Sequence, residues 1–250
     1  MLVLANILQP LEDLAEAIIT FFQEDVGWSW GLAIVGMTFV VRLALLPLSL
    51  RGIKSMRRMQ LVAPQLKEIQ EKYKDDRERQ QRAMMELYQK EGVNPFSSCL
   101  PFLLQIPFFI AIYQLLRGDA FRADVTDSGA SESFLFIESI LEKPTGVEMV
   151  LLIVLFIATT VLTFLYTTTT TQTATGAQKY IFLALPVFFA PFIATQPAGL
   201  GLYWIATNVW SLLQQVVVQQ FMPAPTPPSP EEVKAARPPP PPPRKRKRRR

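Results

Sequence analysis

The sequence predicts an all-α membrane protein with five transmembrane helices, an N-terminal interfacial amphipathic helix and a cytoplasmic helical hairpin. Half of its 250 residues are hydrophobic and only 18% are charged. The apolar residues gather into long runs instead of spreading at amphipathic spacing. Five of these runs approach about 20 residues, the length that a hydrocarbon core of about 30 Å requires.

Residues 1–27 come first. Leu11, Leu14, Ala15, Ile18, Ile19 and Phe22 fall at helical spacing, with Glu12, Asp13 and Glu16 between them, the pattern of a helix lying in the membrane interface. A cleaved signal peptide is the competing reading. No basic residue precedes Arg42, so the positively charged region of a signal peptide is missing.

The five spans are expected at 28–50, 96–117, 148–167, 180–196 and 200–222. The last two are joined through QPAG alone and form a tight helical pair. Pro47, Pro101, Pro107, Pro186 and Pro191 lie in or near these runs. Packed membrane helices tolerate proline because neighbours re-satisfy the freed carbonyls.

Between the first two spans, residues 51–95 read as a cytoplasmic helical hairpin. A basic helix starts at Arg51, Pro64 permits a break, DDRERQ marks the tip and GVNP closes the return. The hairpin is either a solvated pair covering the cytoplasmic mouth or a docking site for ribosome, client or targeting partner. An external loop is expected at 118–147 and a cytoplasmic loop at 168–179. The tail, 223–250, is a disordered, proline-rich spacer ending in seven consecutive positive charges, Arg244, Lys245, Arg246, Lys247, Arg248, Arg249 and Arg250. Such a cluster binds polyanions such as ribosomal RNA, or anchors to anionic lipid.

Basic residues set the orientation. The hairpin, the loop before the fourth span and the tail carry 21 Lys and Arg, against three in the loop between the second and third spans and none before the first span. The positive-inside rule therefore places the N-terminus outside and the C-terminus in the cytoplasm. The chain has no histidine and one cysteine, Cys99. This composition excludes a disulfide framework, a Cys/His metal site and a Cys/His nucleophile pair. With no GxxxxGK[ST] and no cluster of hard carboxylate ligands, neither enzymatic activity nor a cofactor is expected.

Arg42 is the residue that calls for a function. It lies 14 positions into the first span and eight from its expected cytoplasmic end, about 12 Å of helix. An arginine this deep costs several kcal/mol unless it is solvated, and the spans offer no compensating carboxylate, since Glu148 lies at the outer edge of the third. It either snorkels to the interface or faces a water-filled cavity open to the cytoplasm. Gln105, Thr159, Thr160, Thr163, Asn208, Ser211, Gln214 and Gln215 are the polar residues that line such a cavity; Asn208, Ser211 and Gln215 share one helix face. Hydrogen bonding between helices explains the same residues equally well.

FVVRLALLPLSLRGIKSMRRMQLVAPQLKEIQEKYKDD, KEGVNPFSSCLPFLLQIPFFIAIYQLL and GLGLYWIATNVWSLLQQ occur in an order that resembles the core of YidC/Oxa membrane protein insertases. The resemblance runs colinearly over residues 28–221, to the short five-span form without a large periplasmic domain. It implies a non-catalytic insertase and chaperone of a bacterial plasma (inner) membrane. Arg42 would attract acidic, hydrophilic stretches of a client, and Tyr203 and Trp204 would border the client's exit into lipid. Newly made membrane proteins, the ribosome, the Sec translocon and membrane lipids would be its partners. Where many relatives end the third span with glutamine, this chain has Tyr166. An anion-binding transporter and a structural assembly factor are the alternatives from other classes.

Overall fold

The computed structural model describes residues 2–92, 100–171 and 177–221. Among them there is no strand; the one β-bridge, Phe134 to Ile137, closes a tight turn at Leu135. The described residues form nine α-helices in order: α1 Leu2–Thr20, α2 Trp30–Ala44, α3 Leu46–Lys72, α4 Arg77–Lys90, α5 Leu100–Leu115, α6 Asp119–Asp127, α7 Gly146–Thr171, α8 Ala177–Thr195 and α9 Ala198–Phe221, with a π-helical turn at Phe21–Asp25.

Local chemistry starts and stops these helices. Ser29 caps α2 by accepting from the Leu32 amide, and Asp76 caps α4 by accepting from Arg79. The first expected span, 28–50, is interrupted at Leu45, where α2 ends and α3 leaves at 58°. Pro47 occupies the first turn of α3. It has no N–H to donate to the carbonyl one turn back, so a break costs little there. Pro64, where a break was permitted, sits inside a continuous α3.

Among the described residues, Gly146–Thr168 within α7 is by itself long and apolar enough to cross a membrane. The bent pair Trp30–Ala44 and Leu46–Met59 passes the same test jointly, and Gln105–Leu115 and Leu183–Thr195 are shorter apolar stretches.

α9 packs between α2 and α7, α8 lies along α7, and α1 packs on α5 and α2. The apolar core sits at the end of the bundle that carries α6 and the loop 128–145. Ala15 and Ile19 of α1, Trp30, Ile34 and Met37 of α2, Ile112 and Leu116 of α5, Phe121 of α6, Ile137 and Ile140 of the loop, Leu152 of α7 and Leu200 of α9 are all buried in it. Leu14, on the expected apolar face of α1, remains half exposed.

Hydrogen bonds tie the loop to the helix starts. The Ala198 and Gly199 amides, unpartnered within α9, donate to the Glu142 and Ile140 carbonyls, each at 2.8 Å. The Trp30 indole donates to the Ser128 hydroxyl at 3.0 Å and stands edge-on to Phe121. A Cβ on Gly199 would lie 2.9 Å from the Ile140 carbonyl oxygen, and one on Gly31 only 2.2 Å from the Phe134 Cβ. Both approaches require glycine.

Candidate functional site

Away from this core the bundle becomes polar inside. α2 brings Arg42 toward α5 and α9, where its guanidinium donates to the Gln105 side-chain oxygen. The Gln105 amide nitrogen donates in turn to the Tyr203 hydroxyl. Three helices thus meet through one chain of hydrogen bonds. Tyr203 is buried and Arg42 and Gln105 are partly so.

The partners of Arg42 are neutral. The ion pairs of Arg79 with Asp76, Arg82 with Glu78 and Arg122 with Glu142 all lie elsewhere. Burying a charge without a counter-ion is costly, and two local features reduce the cost. Gln105 and Tyr203 supply oriented dipoles. The break at Leu45 also puts Arg42 in the last turn of α2, where the negative end of the helix dipole favours a cation. A guanidinium carries five N–H donors, so the bond to Gln105 leaves capacity for water or for a carboxylate brought from outside.

The other expected site residues go elsewhere. The Asn208 amide donates across the α7–α9 interface to the Thr159 and Thr160 hydroxyls at 3.2 and 2.8 Å. Thr163 donates to the Asn208 carbonyl at 3.4 Å. Thr167 donates to the Gln215 side chain at 2.6 Å, and the Tyr166 hydroxyl to Gln219. Ser211 bonds back to the Thr207 carbonyl of its own helix at 2.8 Å. Thr159, Thr163, Asn208 and Gln215 therefore form a polar ladder between two helices. Of the expected groove residues, Gln105 and Tyr203 are the ones brought to Arg42.

Trp204 occupies an aromatic cluster. Its ring lies 5.1 Å from Phe109 of α5, 5.3 Å from Phe156 of α7 and 6.0 Å from Phe189 of α8. It fastens α9 to three neighbours. Thr167, Tyr166 and Gln219 were not among the sequence candidates as ladder members. The i, i+4 recurrence of Gln215 and Gln219 on α9 was the available signal. Among the described residues no group of three His, Cys, Asp or Glu is placed to hold a metal ion. Arg244 to Arg250, the expected polyanion-binding cluster, lie outside the described residues.

These features define a helical bundle that closes one end with an apolar core and holds, beyond it, an arginine among neutral partners. Residues 21–225 match the model of the 60Kd inner membrane protein family, and the chain belongs to that family. It is 36% identical over 232 residues to the membrane protein insertase YidC of Streptomyces avermitilis, covering 82% of this chain and 54% of that protein. It is 40% identical over 202 residues to the insertase YidC of Campylobacter jejuni, covering 81% and 36%. A crystal structure of an active YidC insertase with its first transmembrane domain resolved superimposes with a TM-score of 0.61 at 30% identity, over 81% of this chain and 45% of that one. The chain thus spans about half, or less, of the length of these proteins.

Proposed function

We propose that this chain inserts client membrane proteins and helps them fold, through a hydrated, positively charged recess open to the cytoplasm. In this reading it crosses a bacterial inner membrane five times, with the N-terminus and the apolar core at the outer face. α1 lies in the outer interface, and α3, α4 and the C-terminal tail are cytoplasmic. The observation that carries the proposal is Arg42, held by Gln105 and Tyr203 with no carboxylate partner among the described residues.

The step is one of solvation. A recess cut part-way into the bilayer shortens the apolar distance that a client's polar segment must cross, and Arg42 pairs transiently with its acidic residues. The core at the outer end limits the recess to the inner half. The client's own apolar segment then partitions into lipid and drives the step, with no covalent chemistry. Trp204 and its aromatic neighbours would border the exit to lipid. The ribosome, through the basic tail and hairpin, and the Sec translocon are the proposed upstream partners.

The test is insertion of a single-span client with an acidic N-terminal tail into proteoliposomes, with wild type, Arg42→Ala and Arg42→Lys at matched folded protein. Loss with Ala and substantial retention with Lys is the expected result. Equal insertion by all three would overturn the electrostatic mechanism, and flux of a small anion lost in Arg42→Ala would favour an anion-binding transporter.

A further inference from the structure

The three basic residues of the segment joining α5 to α7, Arg117, Arg122 and Lys143, come from separate stretches of chain yet line one cavity of about 630 Å³. Asp119 and Glu142 share its wall, with Thr195 and Gln196 from the end of α8 closing another side. Two of the basic groups are braced. Arg122 pairs with Glu142 and donates to the Leu141 carbonyl at 2.9 Å. Arg117 lies over the Tyr113 ring, 5.2 Å from its centroid, and donates to the Tyr113 hydroxyl.

Three cations and two carboxylates leave one net positive charge. With Arg122 neutralised by Glu142, the excess falls on exposed Arg117 and Lys143. One monoanionic phosphodiester balances it, and bidentate geometry suits Arg117 for that task.

A second observation bears on where such a phosphodiester would come from. Thr195, Phe192 and Phe188 recur at helical spacing on one face of α8, and all three are exposed, Phe188 by 79%. An apolar stripe therefore runs from the cavity down the helix. A soluble phosphate has no use for it, whereas acyl chains do.

We propose that this cavity binds the phosphodiester headgroup of an anionic phospholipid, its chains lying along Phe192 and Phe188. The five-span orientation proposed above enters only in assigning that lipid to the outer leaflet. The site would hold α5, α8 and the loop together at one membrane level, where the Glu142 and Ile140 carbonyls also cap α9.

The experiment is native mass spectrometry of the full chain in detergent titrated with phosphatidylglycerol, with phosphatidylcholine and soluble glycerophosphoglycerol as parallel arms. Wild type is expected to retain one phosphatidylglycerol in preference to phosphatidylcholine. Arg117→Ala/Lys143→Ala, which alters exposed side chains only, should weaken retention by more than about tenfold, since it removes two cationic contacts, each worth about tenfold or more. Arg117→Lys/Lys143→Arg should restore most of it. Equal retention by the Ala variant, or of phosphatidylcholine by wild type, overturns the proposal. Displacement by glycerophosphoglycerol at equal concentration overturns the lipid as ligand. Client insertion with Arg42→Ala is measured separately, so failure of the insertase reading leaves this result standing.

Discussion

Asn208→Ala tests whether the polar residues between α7 and α9 are structural. The substitution removes a side chain that donates to Thr160 at 2.8 Å and to Thr159 at 3.2 Å. Hydrogen bonds between membrane helices are each worth about 0.6 kcal/mol on average and up to about 1.7. Two bonds therefore predict a loss of about 1–3 kcal/mol in unfolding free energy. Thr160→Val removes one of the same bonds, so the double variant should lose less than the sum of the singles by about 0.6 kcal/mol. Reversible unfolding in mixed micelles measures all three variants, and client insertion is compared at matched folded protein. A stability loss with insertion retained identifies a structural ladder. Unchanged stability with insertion lost would refute that reasoning and return Asn208 to the client path.

Gly199→Ala and Gly31→Ala should each destabilise the protein by at least about 1–3 kcal/mol, because the new methyl groups would meet the Ile140 carbonyl and the Phe134 side chain; thermal unfolding in detergent checks both. Trp30→Ala should cost about 3–5 kcal/mol, since it empties the centre of the apolar end and removes the indole bond to Ser128. Pro47→Ala restores a donor one turn after Leu43 and should reduce the 58° bend, read as a longer distance between spin labels on α2 and α3. Acidification should strengthen docking of α1. Burial, with the charges of Asp13 and Glu16, pushes the Glu12 carboxyl up, and burial with Asp124 and Asp13 does the same to Glu16. A raised folded pKa adds stability that is complete below the ordinary value of 4.5 and is lost as pH rises through the folded value. Hydrogen exchange in α1 should therefore slow toward pH 4.5, and Glu12→Gln/Glu16→Gln should flatten the dependence.

The all-helical class was legible because long apolar runs permit little else. Arg42, Gln105 and Tyr203 were each legible as unusual residues, but their meeting was not, since the bonds joining them span 63 and 98 positions of sequence. Periodicity shows which residues share a face of α9. It does not show which helix that face meets, so Asn208 and Gln215 read equally well as cavity wall or as glue until α7 was placed against them. The Leu45 break was hidden for a different reason. FVVRLALLPLSLR is apolar on both sides of Pro47, and a hydropathy run does not register a change of direction.

That break alters the physical account of Arg42. In an unbroken helix through Leu50 the guanidinium would lie mid-helix, where every carbonyl is already engaged, and would depend on Gln105 and water. With α2 ending at Leu45, the same residue sits in the terminal turn, beside carbonyls that lack intrahelical donors. A helix terminus stabilises a cation by about 0.3–1 kcal/mol when exposed and by up to about 2 when partly buried. That is a useful fraction of the several kcal/mol an intramembrane arginine costs. It comes without an anionic partner that an incoming carboxylate would have to displace. A salt bridge would hold Arg42 more firmly and make it less available. Neutral neighbours and a helix end leave the charge tolerable and its remaining donors unspent.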